Sequence, residues 1–215
     1  MSSHHYVKEG QEPALIIANG EMCSYELLVS IMEWCPYVIA LDGAYDRLVS
    51  MQISPDIVIG DLDSLQALEE AMHTQFIKDE NQENTDLEKA IDYLLSKGRT
   101  DINIVWSTGK RLDHTLNNIA TLAKYPEAKI VVYDNHSKAF ILPKTYIKFY
   151  DKGTSLSLIP LHTAKGISTE NLKYNLKKDA LEFGKRSGTS NEAATSGKVS
   201  ISYSEGTLVL IESTD

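Results

Sequence analysis

The sequence has no apolar run long enough to cross a membrane and only two cysteines among its 215 residues. A membrane-spanning helix needs about 20 consecutive apolar residues, so we expect no membrane partner. The first residues lack the charged-then-apolar order of a signal peptide. Cys23 and Cys35 do not form a C-x-x-C pair, and no histidine has zinc-ligand spacing with a partner. These absences predict a protein of the reducing cytoplasm.

Positive charge is scarce, because 21 lysines and arginines face 30 aspartates and glutamates, for a net charge of −9. This balance argues against nucleic acid as a partner, since nucleic-acid binding needs a basic surface. Two familiar nucleotide motifs are also missing. The first apolar run leads into ANGEM and not into G-x-G-x-x-G, and TGKR at 108–111 is no P-loop because Ile104 occupies its first glycine position. A phosphate ester would therefore be held by metal ions and a few well-placed basic side chains.

The first two-thirds of the chain alternate between strand-like and helix-like patterns. Apolar strand-like runs lie at 14–18, 37–41, 56–60, 75–78, 101–106 and 129–133. YELLVSIMEW and LEKAIDYLLSKG have helical spacing, the second with Gly98 as its stop and Thr85 or Asp86 as its cap. This alternation predicts a Rossmann-like, three-layer α/β/α domain with a mostly parallel sheet over residues 1–135.

The helical period fades after about residue 135. TSLSLIPL, KVSISYS and TLVLIES are strand-like runs separated by turns rich in glycine, serine and threonine. We predict an all-β sandwich domain over residues 136–215. A domain of roughly 80 residues buries limited core on its own, so we expect it to pack on the first domain or on a second subunit.

The segment PDIVIGDLDSL at 55–65 carries the clearest chemical signal. Its apolar run is typical of a buried strand, and it ends at Gly60 with Asp61 and Asp63 one residue apart. In an extended stretch these side chains point the same way, and two like charges about 4 Å apart repel by roughly 4 kcal/mol at an effective dielectric near 20. A Mg²⁺ ion bound together with a phosphate substrate suits such oxygen ligands. The alternative is an acidic loop that caps the next helix.

Polar side chains follow other predicted strands as well, at the edge where an open parallel sheet binds its ligands. They are Asp42 after the second strand, Gln82, Thr85 and Asp86 after the fourth, and Arg111 and Asp113 after the fifth. Each aspartate has a structural alternative, as a turn residue for Asp42 and as a helix cap for Asp86 or Asp113. Arg111 is suited to bind a phosphate group with two N–H groups at this edge of the sheet. Lys110 is better explained as part of a solvated surface.

Several motifs together resemble one family. ALDGAYDRL (41–48), PDIVIGDLDSL (55–65), QENTDLEKA (82–90) and RLDHTLNNI (111–119) are similar to the ordered motifs of thiamine pyrophosphokinases. GISTENLKYNL (166–176), FGKRSGTSNE (183–192) and the closing GTLVLIES resemble the C-terminal domain of that family. The resemblance implies an α/β domain, a C-terminal β-sandwich for thiamine binding and dimerisation, and a homodimer with active sites between subunits. The implied reaction transfers pyrophosphate from ATP to thiamine with Mg²⁺ and leaves AMP.

The resemblance also assigns roles to positions of this sequence. Its implied Mg²⁺ and phosphate ligands are Asp42, Asp61, Asp63 and Asp86, its nucleotide residues are Gln82, Thr85, Arg111 and Asp113, and its thiamine residues are Ser190 and Asn191. Many members have glycine-rich sequence before the R-x-D-H motif, where this chain has Trp106 and Lys110. Tyr174 occupies the aromatic position of the L-K-[WY]-N segment, where a role in packing is the alternative to a role in binding.

Two other classes stay open from the residues. A metal-dependent phosphatase would use Asp-x-Asp as nucleophile and acid, although that pair usually follows an early first strand and here follows the third. A non-catalytic Mg-nucleotide sensor of the same fold would bind nucleotide without turnover. For the transferase, Asp42 or Asp113 would orient or deprotonate the thiamine hydroxyl, and Arg111 would offset charge on the transferred group.

Overall fold

A computed structural model describes residues 12–63 and 73–214. The helix expected to follow Ser64 lies outside the described residues. The described chain divides into two compact units, the first holding the residues up to Thr121 with Tyr125–Asn135, and the second holding Leu122–Lys124 with the residues from His136 onward. Helices and strands both occur, which confirms the mixed α/β class. Within the described ranges, no helix has the length and apolar character needed to span a membrane.

The first unit contains a parallel sheet of six strands, most of which are mainly apolar. These strands are β1 (Ala14–Ile17), β2 (Tyr37–Leu41), β3 (Ile57–Gly60), β4 (Gln75–Lys78), β5 (Asp101–Val105) and β6 (Lys129–Tyr133). Their spatial order is β6-β5-β1-β2-β3-β4, and every pairing is parallel. All six predicted strands are thus confirmed within two residues at their ends. The order reverses between β1 and β5, and ligands of open α/β sheets bind beside such a reversal.

In the described part of the chain, four helices connect these strands: α1 (Tyr25–Met32), α2 (Asp42–Ser50), α3 (Asp86–Ser96) and α4 (Leu112–Thr121), the last followed by a short 3₁₀ turn at Leu122–Lys124. Ser24 caps α1 by accepting the N–H of Leu27 at 3.2 Å. The predicted stop of α3 is confirmed, since Gly98 follows it with φ 74, a conformation that glycine adopts without strain. Asp42 is the first residue of α2, so the alternative that made Asp42 a turn residue was wrong.

The second unit consists of the 3₁₀ turn and eight strands: β7 (Ser137–Ile141), β8 (Thr145–Tyr150), β9 (Ser155–Pro160), β10 (Thr163–Glu170), β11 (Asp179–Glu182), β12 (Gly188–Glu192), β13 (Gly197–Ser202) and β14 (Leu208–Ser213). They pair antiparallel in two sets, β12-β9-β14-β7 and β11-β10-β13-β8. Alternate residues of both sets, such as Leu158, Ile167 and Leu210, bury their side chains in one apolar cluster. That alternation places one face of each strand in the core.

Candidate functional site

Carboxylates gather at the edge of the first unit's sheet where β2 and β3 end. Leu41 pairs with Ile59 in the parallel register, so Asp42 and Asp61, which lie one and two residues further on, leave neighbouring strands at the same edge. The two carboxyl groups are close enough for each to shift the pKa of the other. The predicted convergence of Asp42 and Asp61 on one rim agrees with this geometry.

Asp42 and Asp61 have opposite pKa shifts. Burial raises the pKa of the Asp42 carboxyl above its ordinary value, and the neighbouring charges of Asp61 and Asp86 raise it further. The pKa of Asp61 is lowered, first because the backbone N–H of Asp63 donates to its Oδ1 at 3.2 Å and then because of the contact with Asp42. Such a pair holds a proton or a cation in preference to two bare charges.

Gly60 leaves the space that the Asp42 carboxyl occupies. A Cβ at residue 60 would lie 2.6 Å from Cγ of Asp42 and 2.8 Å from its Oδ2. Asp42 is fixed from the other side by the backbone N–H of Gly43, which donates to its Oδ1 at 2.5 Å. A glycine at the end of β3 is therefore needed to make room for the Asp42 carboxyl, in addition to ending the strand.

The Asp61–Asp63 pair does not have the extended geometry that the spacing suggested. Leu62, between them, has φ 64, in the left-handed region. The chain turns there, and the Asp61 carboxylate accepts the N–H of Asp63 within this turn. Aspartate favours such local bonds to the backbone two residues on. The expectation of two side chains aligned along one strand was therefore wrong, because the strand ends at Gly60.

Asp86 is the first residue of α3, and its charge acts on the Asp42 carboxyl. The residues next to Asp86 fix the start of the helix. Thr85 is the N-cap, and it forms a capping box with Glu88 in which each side chain bonds to the backbone of the other. The alternative of Asp86 as the cap was wrong, although its negative charge still suits the first turn of a helix. The Thr85 hydroxyl also contacts Glu88 Oε2 at 3.0 Å, so any contact with nucleotide has to compete with the capping box.

Lys89 is a residue of this rim that the sequence analysis did not single out. Its side chain is only 5% exposed, and its Nζ lies 3.0 Å from Oδ1 of Asp86 and 2.9 Å from the carbonyl oxygen of Asp79. Lysine is rarely buried unless it is paired. The signal was its position three residues after Asp86, among the buried apolar residues of α3.

Gln82 lies in the loop between β4 and α3. This loop is tied to the rim because the N–H of Asp79 donates to the carbonyl of Gly60 at 2.9 Å. Two successive bonds from backbone N–H groups to side-chain oxygens, Asn81 to Asp79 and Glu83 to Asn81, shape the turn. The Gln82 side chain is exposed, which leaves it accessible to a ligand.

Arg111 and Asp113 form an exposed ion pair at the start of α4. Nε of Arg111 lies 3.0 Å from Oδ1 of Asp113, and a second bond joins Nη2 to Oδ2. The Arg111 guanidinium lowers the pKa of the Asp113 carboxyl to about 2. Asp113 is thus held ionised and orients the guanidinium, while both side chains stay more than half exposed.

Trp106 and Lys110 stand where many family members have glycine-rich sequence. Both adopt a positive φ, which is 58 for Trp106 and 52 for Lys110. The left-handed conformation costs a residue with a Cβ about 1–2 kcal/mol, so this chain keeps a glycine-like backbone there against local strain. Trp106 is 1% exposed, and Arg47 stacks on its ring with 4.6 Å from the guanidinium carbon to the ring centroid. Lys110 Nζ reaches the carbonyl of Asn19 at 3.4 Å.

The predicted thiamine residues lie in the second unit and differ from each other. Ser190 is exposed, with φ 56, and its N–H donates to the Ser157 hydroxyl at 3.1 Å. Asn191 is 6% exposed, and its amide accepts the N–H of Tyr174 at 3.0 Å and donates to the Tyr174 carbonyl at 2.9 Å. The Tyr174 residue is itself 64% exposed, which does not support a role in packing within this unit.

The side chains present at the rim fit a hard cation by their chemistry. Asp42, Asp61, Asp63 and Asp86 offer only carboxylate oxygens, the ligands that Mg²⁺ prefers, and the missing side chain of Gly60 lets the Asp42 carboxyl lie at the strand end. Over residues 12–63 and 73–214, no three carboxylate, imidazole or thiol groups already form a metal-holding set. To bind the same ion, Asp63 and Asp86 would have to turn toward the Asp42–Asp61 pair. The Asp86 carboxylate would then contact both the ion and the Lys89 ammonium.

The first unit is thus an α/β unit whose parallel sheet has carboxylates and an arginine beyond its strand ends. The profile described as thiamin pyrophosphokinase, catalytic domain, matches residues 28–133, and that described as thiamin pyrophosphokinase, vitamin B1 binding domain, matches residues 144–208. The chain belongs to the thiamine pyrophosphokinase family.

Individual relatives agree with this assignment. Thiamine pyrophosphokinase 1 of rice is 28% identical over 160 residues, which is 66% of this chain and 61% of the rice protein, so the match spans about three fifths of that relative's length. Thiamine pyrophosphokinase of Bacillus subtilis is 28% identical over 82% of this chain and 87% of its own. The crystal structure of a Bacillus subtilis thiamine pyrophosphokinase superimposes with a TM-score of 0.79 at 27% identity, covering 95% of this chain and all of that one.

Proposed function

We propose that this chain transfers the pyrophosphoryl group of ATP to the hydroxyl of thiamine, giving thiamine diphosphate and AMP in a Mg²⁺-dependent reaction. The observation that carries the proposal is the pair of adjoining carboxyl groups, Asp42 and Asp61, at the strand ends of a chain of this family. Such a pair is stabilised by a cation, and phosphoryl-type transfer depends on positioning and on neutralising charge.

In this proposal the first unit is a Rossmann-like three-layer domain that binds ATP and Mg²⁺. Asp42, Asp61, Asp63 and Asp86 would hold the ion, which when bound neutralises negative charge on phosphate oxygens. Gln82 and Thr85 would contact the nucleotide from the loop before α3. Arg111 would keep its bonds to Asp113 and offer its remaining N–H groups to oxygens of the moving group, since a planar guanidinium suits phosphate. Asp113, a weak base because of its low pKa, would hold Arg111 and not take the hydroxyl proton.

The second unit, in the same proposal, is a β-sandwich that binds thiamine and forms the homodimer. The match of residues 144–208 to a vitamin B1 binding domain supports this role. Ser190 is exposed and would contact thiamine directly, whereas the buried Asn191 would act by holding the backbone of Tyr174. The dimer and a cytoplasmic location stay predictions, and light scattering near twice 24.0 kDa would test the first of them.

The reaction is distinguished from a simple kinase by the phosphorus that is attacked. The thiamine hydroxyl oxygen forms a bond to the β-phosphorus, the bridge between the α- and β-phosphates breaks, and AMP leaves with the bridging oxygen. The hydroxyl proton would pass to Asp42, the other carboxylate expected to orient or deprotonate the hydroxyl. A kinase acting on the γ-phosphate would leave ADP. The absence of a Walker-type loop from the sequence removes the usual means of presenting the γ-phosphate alone.

Product analysis tests the proposal. Chromatography of a reaction with ATP, Mg²⁺ and thiamine should show AMP and thiamine diphosphate in equal amounts, and a reaction without thiamine should show neither. ADP with thiamine monophosphate would contradict the proposed transfer. Nucleotide binding without any product would favour the Mg-nucleotide sensor, and release of inorganic phosphate alone would favour the phosphatase.

A further inference from the structure

Arg47, on α2, has a guanidinium group that faces the protein interior. Its Nη1 donates to the carbonyl of Gly20 at 3.0 Å, and its Nη2 donates to Oδ1 of Asn19 at 3.0 Å and to the carbonyl of Ala18 at 3.4 Å. These three acceptors all belong to the segment that follows β1. A planar guanidinium holds several acceptors in a fixed geometry, which an ammonium does not. Arg47 therefore fixes the loop that follows β1.

The loop after β1 in turn supports the loop after β5. The N–H of Gly20 donates to the carbonyl of Trp106, and the N–H of Glu21 donates to the carbonyl of Thr108 at 2.7 Å. The approach is so close that Gly20 has no space for a Cβ against these carbonyl oxygens. The position of the loop after β5 is consequently set by the position of the loop after β1.

Arg47 also contacts the loop after β5 directly, through the Trp106 ring on which it stacks. An arginine over a tryptophan ring is stabilised by about 0.5–2 kcal/mol, more when it is shielded from water. Trp106 has left-handed φ and is buried, and strained backbone persists only where its surroundings determine it. The stack and the paired loops supply such surroundings.

We propose that Arg47 is a positioning residue that fixes the loops after β1 and β5 and thereby the place of Arg111. Arg111 lies five residues beyond Trp106, at the end of the supported loop and directly before α4. Arg47 has its guanidinium bonds directed to the backbone and to Asn19, so its effect on ATP passes through these loops. The inference rests on the proposed function, in which Arg111 contacts the phosphates of ATP.

The test compares Arg47→Lys with a matched control, Arg99→Lys. Arg99 also stacks on an aromatic ring, that of Tyr37 at 4.1 Å, and also donates to a backbone carbonyl, that of Glu12 at 2.9 Å. It lies before β5, at the opposite end of the strands from the rim. We expect Arg47→Lys to raise the KM for ATP by about tenfold and to speed amide exchange within residues 107–111. Arg99→Lys should do neither, although both variants lower the melting temperature.

Equal KM values for ATP and unchanged exchange in both variants would overturn the proposal, since Arg47 would then act on stability alone. If Arg47→Lys does not fold, Trp106→Phe gives the second test, because a smaller ring weakens the same stack. Faster exchange within 107–111 supports the proposal, and wild-type exchange overturns it. The exchange experiment needs no substrate, so a wild-type protein without turnover would refute the proposed function and leave this test intact.

Discussion

Gly60→Ala is the most direct test of the carboxyl pair, because it perturbs Asp42 through space alone. Gly60 has no positive φ, so alanine fits the backbone. Its Cβ would lie 2.6 Å from Cγ of Asp42, whereas carbon atoms rest at about 3.5 Å, so the carboxyl must retreat by about 0.9 Å. A misplacement of about 1 Å costs about a hundredfold in rate. We therefore expect turnover to fall by about a hundredfold.

The change in stability should be much smaller. Overpacking costs about 1–3 kcal/mol, so the variant should stay folded in thermal unfolding experiments. Gly197→Ala is the matched control, since a Cβ there would meet only Nδ2 of Asn171, at 3.5 Å, an ordinary contact. Its turnover should equal that of the wild type.

A double variant tests whether Gly60→Ala lowers turnover by displacing Asp42 or in some other way. If Gly60 acts through Asp42, then Gly60→Ala combined with Asp42→Asn should be no slower than Asp42→Asn alone, because residues in contact are not additive. Turnover is measured as AMP formed with ATP, Mg²⁺ and thiamine. Wild-type turnover of Gly60→Ala, or fully multiplicative effects in the double variant, would refute the reasoning.

Two further predictions concern charged side chains. Arg111→Lys should lower kcat/KM by about tenfold or more, because a point charge does not reproduce a bidentate phosphate contact, while Lys110→Ala should change it much less; steady-state kinetics would contradict this if the ranking were reversed. Glu212→Gln should lower the free energy of unfolding at pH 7 by about 2 kcal/mol, since Tyr150, Lys148 and Lys138 all contact this buried carboxylate. Burial alone would raise the pKa of Glu212, but these partners outweigh it and lower the pKa. The stabilisation is therefore present above the unfolded pKa and lost as pH falls through the folded one, so urea unfolding at pH 4 should show a smaller difference than at pH 7.

The strands of the first unit could be predicted because most of them are short apolar runs, although β4 has an exposed polar residue at each end. Strands β1 and β3 are buried at every residue, and a parallel sheet covered on both faces requires that pattern. Helix α2 escaped prediction because it begins with Asp-Gly, a pair that favours turns. In the second unit, only β9, β13 and β14 correspond to predicted runs, and β7, β8, β10, β11 and β12 were missed. For β11 and β12 the reason is that DALE and GTSNE hold few apolar residues, and pairing with neighbouring strands overrides local preference.

The candidate site also contains some features that could be predicted from the sequence and others that could not. The carboxylates were predictable because they directly follow strands, and neighbouring parallel strands end at one edge. Arg47 was not, because its partners are backbone carbonyls 27 and 29 residues away in the chain, and no spacing rule connects them. The turn at Leu62 was also hidden, since its φ of 64 depends on where β3 ends and on the bond from Asp63 to Asp61.

Lys89 explains why the excess negative charge of the rim lies on the Asp42–Asp61 side. Its ammonium pairs with Asp86 from within the protein, where it is 5% exposed, and its charge also favours the ionised form of Asp61. The chain thus neutralises one carboxylate itself. The pKa of Asp42 is raised, first because of burial and also because of its like-charged neighbours Asp61 and Asp86. A cation gains most where like charges are least compensated, so in the proposed function a divalent ion entering the rim would be stabilised most at Asp42, whose pKa burial and like-charged neighbours raise.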